Sequence, residues 1–440
     1  METALERIAS IAKEQPDKRF TALVHHINQE SLMACHYELA PGKAPGVDGQ
    51  TRTEYGRDLE QNVEDLMARM KRQAYKPQPV RRAWIPKPGT DKKRPLGIPA
   101  YEDKLVQMAL TKILNAIYEA DFLDSSFGFR PNRGCHDALK ILNHYIEKRN
   151  TNYIVDADIK GFFDHVDHQW LKKFLEHRIA DPNLLRLITR FLKSGVMEAG
   201  IVQDTTQGTP QGGVVSPILA NIYLHYVLDL WFEKEIRPKC RGQAYIVRYA
   251  DDFVCCFEHR AEAEAFYRAL RQRLAKFGLE IAEDKTKIIS FGRHAKSNDK
   301  DKDGPDTFDF LGFTHYCGQG QKGQFRVKRR TSRKKFTNSL MRAKEWIKQQ
   351  RHLPIDELME RLRQKLRGYY QYYAITDNYY MVDRIREAIQ KLVFKWLNRR
   401  SHSRSFNWEQ YTRFIRNNPL PRPKTKVNIY ELRPDIGYIM

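Results

Sequence analysis

The feature that most constrains this chain is an acidic dipeptide set between two apolar runs. Val247-Arg248 leads into Tyr249-Ala250-Asp251-Asp252, and Phe253-Val254-Cys255-Cys256-Phe257 follows. Such a pattern predicts strand, turn and strand. Successive strand residues face opposite sides of a sheet, so two neighbouring Asp cannot both point at one core. At a hairpin tip both can reach one cation. Upstream, Tyr153-Ile154-Val155-Asp156-Ala157-Asp158 reads as another strand ending in a carboxylate. Alternation puts Asp156 and Asp158 on one face, with Asp158 better exposed at the strand end. Asp158 and Asp251 could bridge two Mg²⁺ ions about 3.5–4 Å apart, as in two-metal phosphoryl transfer, with Asp252 in support. Mg²⁺ accepts a few carboxylates plus substrate phosphates in place of a full protein cage, and Mn²⁺ is an alternative ion. The plainer reading is a solvated acidic turn and an unrelated strand Asp. By itself a Tyr-x-Asp-Asp match leans only moderately toward function.

Charge narrows the partner. The 440-residue chain has room for two or three domains and carries a formal net charge of +22. The excess is clustered: residues 321–350 include Arg326, Lys328, Arg329, Arg330, Arg333, Lys334 and Lys335, with Glu345 as the lone acid. A solvated basic surface is the bland account, but clustering of this kind suits a polyanion. The six Cys form no CxxC pair and no zinc spacing, which fits buried thiols in a reducing cytoplasm. No apolar run approaches the ~20 residues of a membrane helix. The charged start, METALERIASIAKEQ, is no signal peptide.

Along the chain, residues 1–40 and 58–74 read as helical, separated by a Gly/Pro loop at 41–49. A short strand at 80–86 ends at proline. An amphipathic helix is expected over 103–118, a strand at 153–158, and helices near 169–178 and 183–193. A long helix over 216–232 opens with Ser-Pro. The hairpin 245–258, a helix over 261–277 and a strand at 285–291 follow. Strand, helix, hairpin, helix and strand is the order of a split βαβ sheet. Residues 293–306 read as a surface loop, and beyond about 330 the pattern is helical, basic and rich in Tyr. Gln207-Gly208-Thr209-Pro210-Gln211-Gly212-Gly213 is a Gly-rich loop that allows close backbone approach to a base pair or phosphate.

In combination and order these segments resemble a bacterial group II intron reverse transcriptase/maturase. Gly46-Val47-Asp48-Gly49, Ile85-Pro86-Lys87-Pro88 with Arg94-Pro95-Leu96-Gly97-Ile98-Pro99, and Ser126-Phe127-Gly128-Phe129-Arg130-Pro131 are similar to that family's fingers motifs. Asp158 through Asp164 resembles motif A, residues 209–217 motif B, Tyr249-Ala250-Asp251-Asp252 motif C and residues 278–286 motif D. Phe310-Leu311-Gly312-Phe313 resembles the primer grip.

The resemblance implies an α+β right-hand polymerase with fingers, a split-βαβ palm and a helical thumb, followed by a C-terminal helical maturase domain. It divides the chain into an N-terminal extension and fingers at 1–150, palm at 151–320, basic thumb at 321–385 and the rest of the maturase region at 386–440, or from near 360. It implies RNA-directed DNA synthesis. Asp158, Asp251 and Asp252 would be the metal ligands and Lys285 the proton donor to pyrophosphate. Lys87, Arg94 and Arg130 would bind substrate, Phe163 would exclude a 2′-hydroxyl, and Gln211 would touch the templating pair. The bland readings are surface charge for the cations and core packing for Phe163, with Phe162 the better core residue. The partners implied are dNTPs, an RNA template with a DNA or RNA primer, and group II intron RNA. A homodimer stays open, and the expected place is the bacterial cytoplasm, at the nucleoid during mobility.

Lys365-Leu366-Arg367-Gly368-Tyr369-Tyr370-Gln371-Tyr372-Tyr373 and Phe394-Lys395-Trp396-Leu397-Asn398-Arg399-Arg400 interleave aromatics with cations, which suits both a bundle core and an RNA face. Lys328, Arg329, Arg330, Arg333, Lys334, Lys335, Arg367, Lys395, Arg399 and Arg400 are the expected RNA contacts. With no His-Asn-His nuclease motif before Met440, priming by a nascent strand or existing nick is expected. The rival readings are a domesticated relative acting in repair or phage defence, a splicing factor without polymerase activity, and an RNA-dependent RNA polymerase.

Overall fold

A computed structural model describes residues 2–86, 93–198, 200–203, 207–209, 212–295, 306–400, 406–434 and 436. Among these, the strands in chain order are β1 (Val80–Pro86), β2 (Lys93–Ile98), β3 (Tyr153–Asp158), β4 (Val196–Glu198), β5 (Ile201–Gln203) and β6 (Ala244–Tyr249). They continue as β7 (Asp252–Phe257), β8 (Lys287–Ser290), β9 (Phe308–Phe310), β10 (Phe313–Gln319) and β11 (Phe325–Thr331). Three sheets result, ordered β2-β1-β4-β5, β6-β7-β3-β8 and β11-β10-β9.

The central sheet β6-β7-β3-β8 is antiparallel throughout. Two helices, His168–Glu176 and Pro182–Leu192, and a third that opens at Ser216 separate β3 from the β6–β7 hairpin. The helix Arg260–Lys276 separates the hairpin from β8. This is the expected split βαβ order. Apolar residues alternate between its two faces. Val155, Phe253 and Cys255 join the larger core, while Ile154, Val254 and Cys256 join a second core shared with β9–β11. Burial on both faces explains why β7 reads as an unbroken apolar run. Asp158 and Asp252 have the parity of Ile154 and Val254, so they open toward the β9–β11 side.

The helix expected over 216–232 is α-helical over Ser216–Leu224 and then widens into π turns at His225–Asp229 and Phe232–Ile236. The helical pattern expected beyond about 330 begins at Arg333, and the start of the segment assigned to the thumb from 321 is strand β11. Three long helices, Arg333–Gln350, Ile355–Tyr373 and Tyr379–Leu397, then pack around a core of Leu358, Leu362, Leu366, Ile385 and Val393. The spacing of Leu358, Leu362 and Leu366 makes one helical face, as an amphipathic helix requires.

A carboxylate turn as the candidate active site

β3 and β7 pair with Asp158 opposite Asp252. Residues so placed share a face, with Cβ atoms about 5 Å apart. β6 and β7 close on the Tyr249–Asp252 pair, which leaves Ala250 and Asp251 as a two-residue turn at the same end of the sheet. The three carboxylates named from sequence therefore meet at one edge. Ala250 holds φ at +59°. For a residue with a Cβ this left-handed conformation costs about 1–2 kcal/mol, so the surroundings must impose it.

The charges there are crowded and under-neutralised. Burial, then repulsion from Asp251 and Asp158, pushes the Asp252 carboxyl up to about 6. Asp252 is the one exposed residue of β7. Burial and the Asp158 charge raise Asp251 too, against the pull of Arg94 and Arg248. Asp156 is pushed up to about 7 by burial, then by Asp252, Asp309 and Asp158. Lys285 forms an ion pair with Asp158, and that hydrogen bond holds its ammonium above the usual lysine range. No three His, Cys, Asp or Glu groups among the described residues form a ready metal cage. An open set of crowded carboxylates, with burial and then mutual repulsion raising Asp251 and Asp252, is nonetheless a good fit to a divalent cation that completes its shell with water and phosphate.

Arg94 is exposed on β2, paired with Ile85 of β1, and its charge reaches Asp251. Lys87 and Gln211 lie outside the described residues. Phe162 is 2% exposed, and Phe163 is half-buried against it, ring edge to face at 5.3 Å. The glycine loop is laid across this pair: Thr209 N donates to Phe163 O at 2.7 Å, and Gly208 N to Val166 O at 2.8 Å. Gly208 has φ +87°, and a Cβ there would sit 2.9 Å from Asp164 O. Its close approach is thus to the chain's own backbone.

Arg130 corrects the sequence reading. It is 6% exposed, paired with Glu119 at 3.0 Å, and its Nη1 donates to Leu123 O and Ser126 O at 2.7 and 2.8 Å. It braces a loop, with its guanidinium committed to acceptors within the chain. Arg329 is a second correction. It is fully buried, donating to Asn143 Oδ1 at 2.8 Å and Val327 O at 2.6 Å, with Asp377 at 3.3 Å. Alternation along β11 turns Val327, Arg329 and Thr331 inward and leaves Arg330 exposed. Arg400 is half-buried and donates to Leu353 O at 2.5 Å. Arg330, Arg333, Lys334, Lys335, Arg367, Lys395 and Arg399 are exposed, and Lys328 is half-buried.

The sequence reading missed Arg248. It is 0% exposed, and every N–H has an acceptor. Nε and Nη2 grip Asp229 at 2.7 and 2.6 Å. Nη1 donates to Asn221 Oδ1 at 3.0 Å and Ala250 O at 2.9 Å, and Nη2 also donates to Ser126 Oγ at 2.7 Å. Deleting one partner of such a buried pair costs about 3–5 kcal/mol. The signal was present: Arg248 interrupts an apolar strand and Asp229 an apolar helix, and lone buried charges need each other.

Residues 85–315 match the family described as reverse transcriptase (RNA-dependent DNA polymerase). Residues 333–414 match the group II intron, maturase-specific domain. The chain is 36% identical over 304 residues to the group II intron-encoded protein LtrA of Lactococcus lactis, covering 66% of this chain and 50% of that protein. It thus spans about half the length of that relative. Protein YkfC of Escherichia coli is 31% identical over 316 residues, 64% of this chain and 83% of that one. A shorter stretch of 97 residues is 31% identical to nuclear intron maturase 1, mitochondrial, of Arabidopsis thaliana, covering 22% of this chain and 13% of that protein.

Proposed function

This chain belongs to the reverse transcriptase family and carries a group II intron maturase-specific domain, and on that footing we propose that it copies RNA into DNA and binds group II intron RNA to assist splicing and mobility. The observation that carries the reading is the cross-strand pairing of Asp158 with Asp252 beside the Asp251 turn. On this reading residues 1–150 serve as extension and fingers, 151–320 as palm, 321–385 as thumb and 386–440 as the remaining maturase region.

Asp158, Asp251 and Asp252 would hold two Mg²⁺ ions, or Mn²⁺ in their place. Bound there, the ions supply activation of a primer 3′-hydroxyl and stabilisation of the leaving pyrophosphate. Arg94, with Lys87, binds the triphosphate of a dNTP, the guanidinium as a planar fork and the ammonium as a point charge. Phe163 lies under the incoming sugar and leaves no room for a 2′-hydroxyl. Gln211 contacts the templating pair. Lys285 keeps its proton while paired with Asp158 and delivers it to pyrophosphate as the bond to the α-phosphate breaks. The exposed cations on the Arg333–Gln350 helix hold the template and primer, and those at Arg367, Lys395 and Arg399 hold intron RNA. No described helix is long and apolar enough to cross a membrane, and the proposed setting is the bacterial cytoplasm.

Primer extension on an RNA template tests this, with dNTPs and NTPs in parallel. Wild-type protein should make DNA from dNTPs only, and Asp251→Asn should make none. Wild-type yield from Asp251→Asn would refute the assignment of the carboxylates.

A further inference from the structure

The turn that carries Asp251 is gripped from outside its own sheet. β6 is an edge strand, and the segment at residues 125–128 runs beside it as a short parallel addition. Arg248 N donates to Ser125 O at 2.8 Å, and Phe127 N donates to Arg248 O at 2.9 Å. Gly128 then lies against the turn itself. A Cβ on Gly128 would sit 2.3 Å from Ala250 N and 2.9 Å from Tyr249 C, both backbone atoms. Gly128 is not in the left-handed region, so the space requires glycine there and the conformation does not.

Side chains complete the grip. Asn221 Nδ2 donates to Gly128 O at 2.7 Å while its Oδ1 accepts from Arg248. Arg248 in turn donates to Ala250 O, the carbonyl just before Asp251, and to Ser126 Oγ. Arg130, anchored on Glu119, holds Ser126 O from the far side. We propose that Gly128, Ser126 and Arg248 form a positioning device that sets the strained Ala250–Asp251 turn, and so the place of the Asp251 carboxylate, for the polymerase chemistry on which this inference rests. The residues touch no substrate. They act through the turn, which would otherwise relax out of its positive φ.

Gly128→Ala is the sharpest test, because one methyl group wedges the segment away from the turn and alters no charge. Reacting groups displaced by about 1 Å can lose as much as ~100-fold in rate, so the rate per active molecule should fall about 10- to 100-fold. At saturating metal the dNTP KM and the primer–template Kd should stay within about threefold, because the segment touches neither ligand and acts on the rate through the carboxylate. The burst amplitude, which counts competent molecules, should hold. Mn²⁺ affinity read by electron paramagnetic resonance, without any substrate, should weaken about tenfold, as when a ligand loses its support. Gly134→Ala is the control, since its added Cβ would meet nothing closer than Asp137 Oδ2 at 3.6 Å. If Gly128→Ala does not fold, Ser126→Ala removes a single acceptor and should lower the rate about 3- to 10-fold.

A smaller burst at wild-type rate per molecule would mean that the segment serves folding alone and would overturn the proposal. So would unchanged rate and unchanged Mn²⁺ affinity. If the wild-type protein makes no DNA, the polymerase reading fails instead. The Mn²⁺ titration then still decides whether the segment places the carboxylates, equal affinities overturning that as well.

Discussion

The turn at Asp251 and the strand β11 both carry runs of like charge, and they handle them in opposite ways. At the turn, two neighbouring acids and a third across the strand pair are kept together at one edge. In β11 the run Lys328-Arg329-Arg330 is split, and Arg329 is drawn inward to Asn143 and Asp377. A run of charge at a hairpin tip accumulates on one side. The same run within a strand is divided by the pleat. The first arrangement concentrates charge for a ligand, and the second divides its cations between the core and the solvent.

The largest effect should separate charge used for chemistry from charge used for packing. Asp251→Asn should lower DNA synthesis by about 10³-fold or more, roughly 4 kcal/mol of barrier, without lowering the melting temperature, because it removes a mutually repelling carboxylate. Primer extension and a thermal scan check both halves. Arg329→Ala should do the reverse. It takes the guanidinium donors from Asn143 Oδ1 and Val327 O, leaves Asp377 with Tyr430 as its remaining donor, and should destabilise by about 3 kcal/mol. Urea unfolding reads that loss, and RNA affinity per folded molecule should be unchanged.

A pH series sharpens the contrast further. An ordinary aspartate titrates near 4, whereas Asp252 is held at about 6. Between these values the native protein binds a proton that the unfolded chain has lost. The ion-free protein therefore loses stability as pH rises from about 4 through about 6. A divalent cation offsets that loss. Mg²⁺ should raise the melting temperature by a few degrees at pH 7.5 and hardly at all at pH 5. Equal gains at both would place the ion away from these carboxylates. Smallest of all, Arg330→Ala should weaken RNA binding about 2- to 5-fold and reduce the salt slope by about 1, with stability unchanged. A filter-binding salt series compares it directly with Arg329→Ala.

The central sheet was legible because its strands are apolar runs buried on both faces, with helical periods between them. The hairpin was legible because an acidic pair between such runs has few other conformations. The β9–β11 sheet was not, since its strands mix His, Thr, Lys and Arg with apolar residues and have no clean period. The helix after Ser216 was placed correctly, but its π turns leave no periodic mark. Arg130 was read as a substrate contact from the resemblance of its segment and Arg329 as an RNA contact from the density of cations around it, and neither signal carries information on burial. Arg248 went unremarked because its partners are scattered: Asp229 stands 19 residues away and Ser126 stands 122 away.

Local sequence determined that Asp251 and Asp252 sit at a hairpin tip and that Asp158 ends a strand, because turn formation and strand alternation involve only neighbouring residues. The tertiary structure decided which arginines meet solvent and which brace the core, and it supplied the glycine that presses on the turn. Those outcomes depend on segments far apart in the chain arriving at hydrogen-bonding distance. An arginine most of whose donors find acceptors can be buried, as Arg248 and Arg329 are, and one that finds none stays in water.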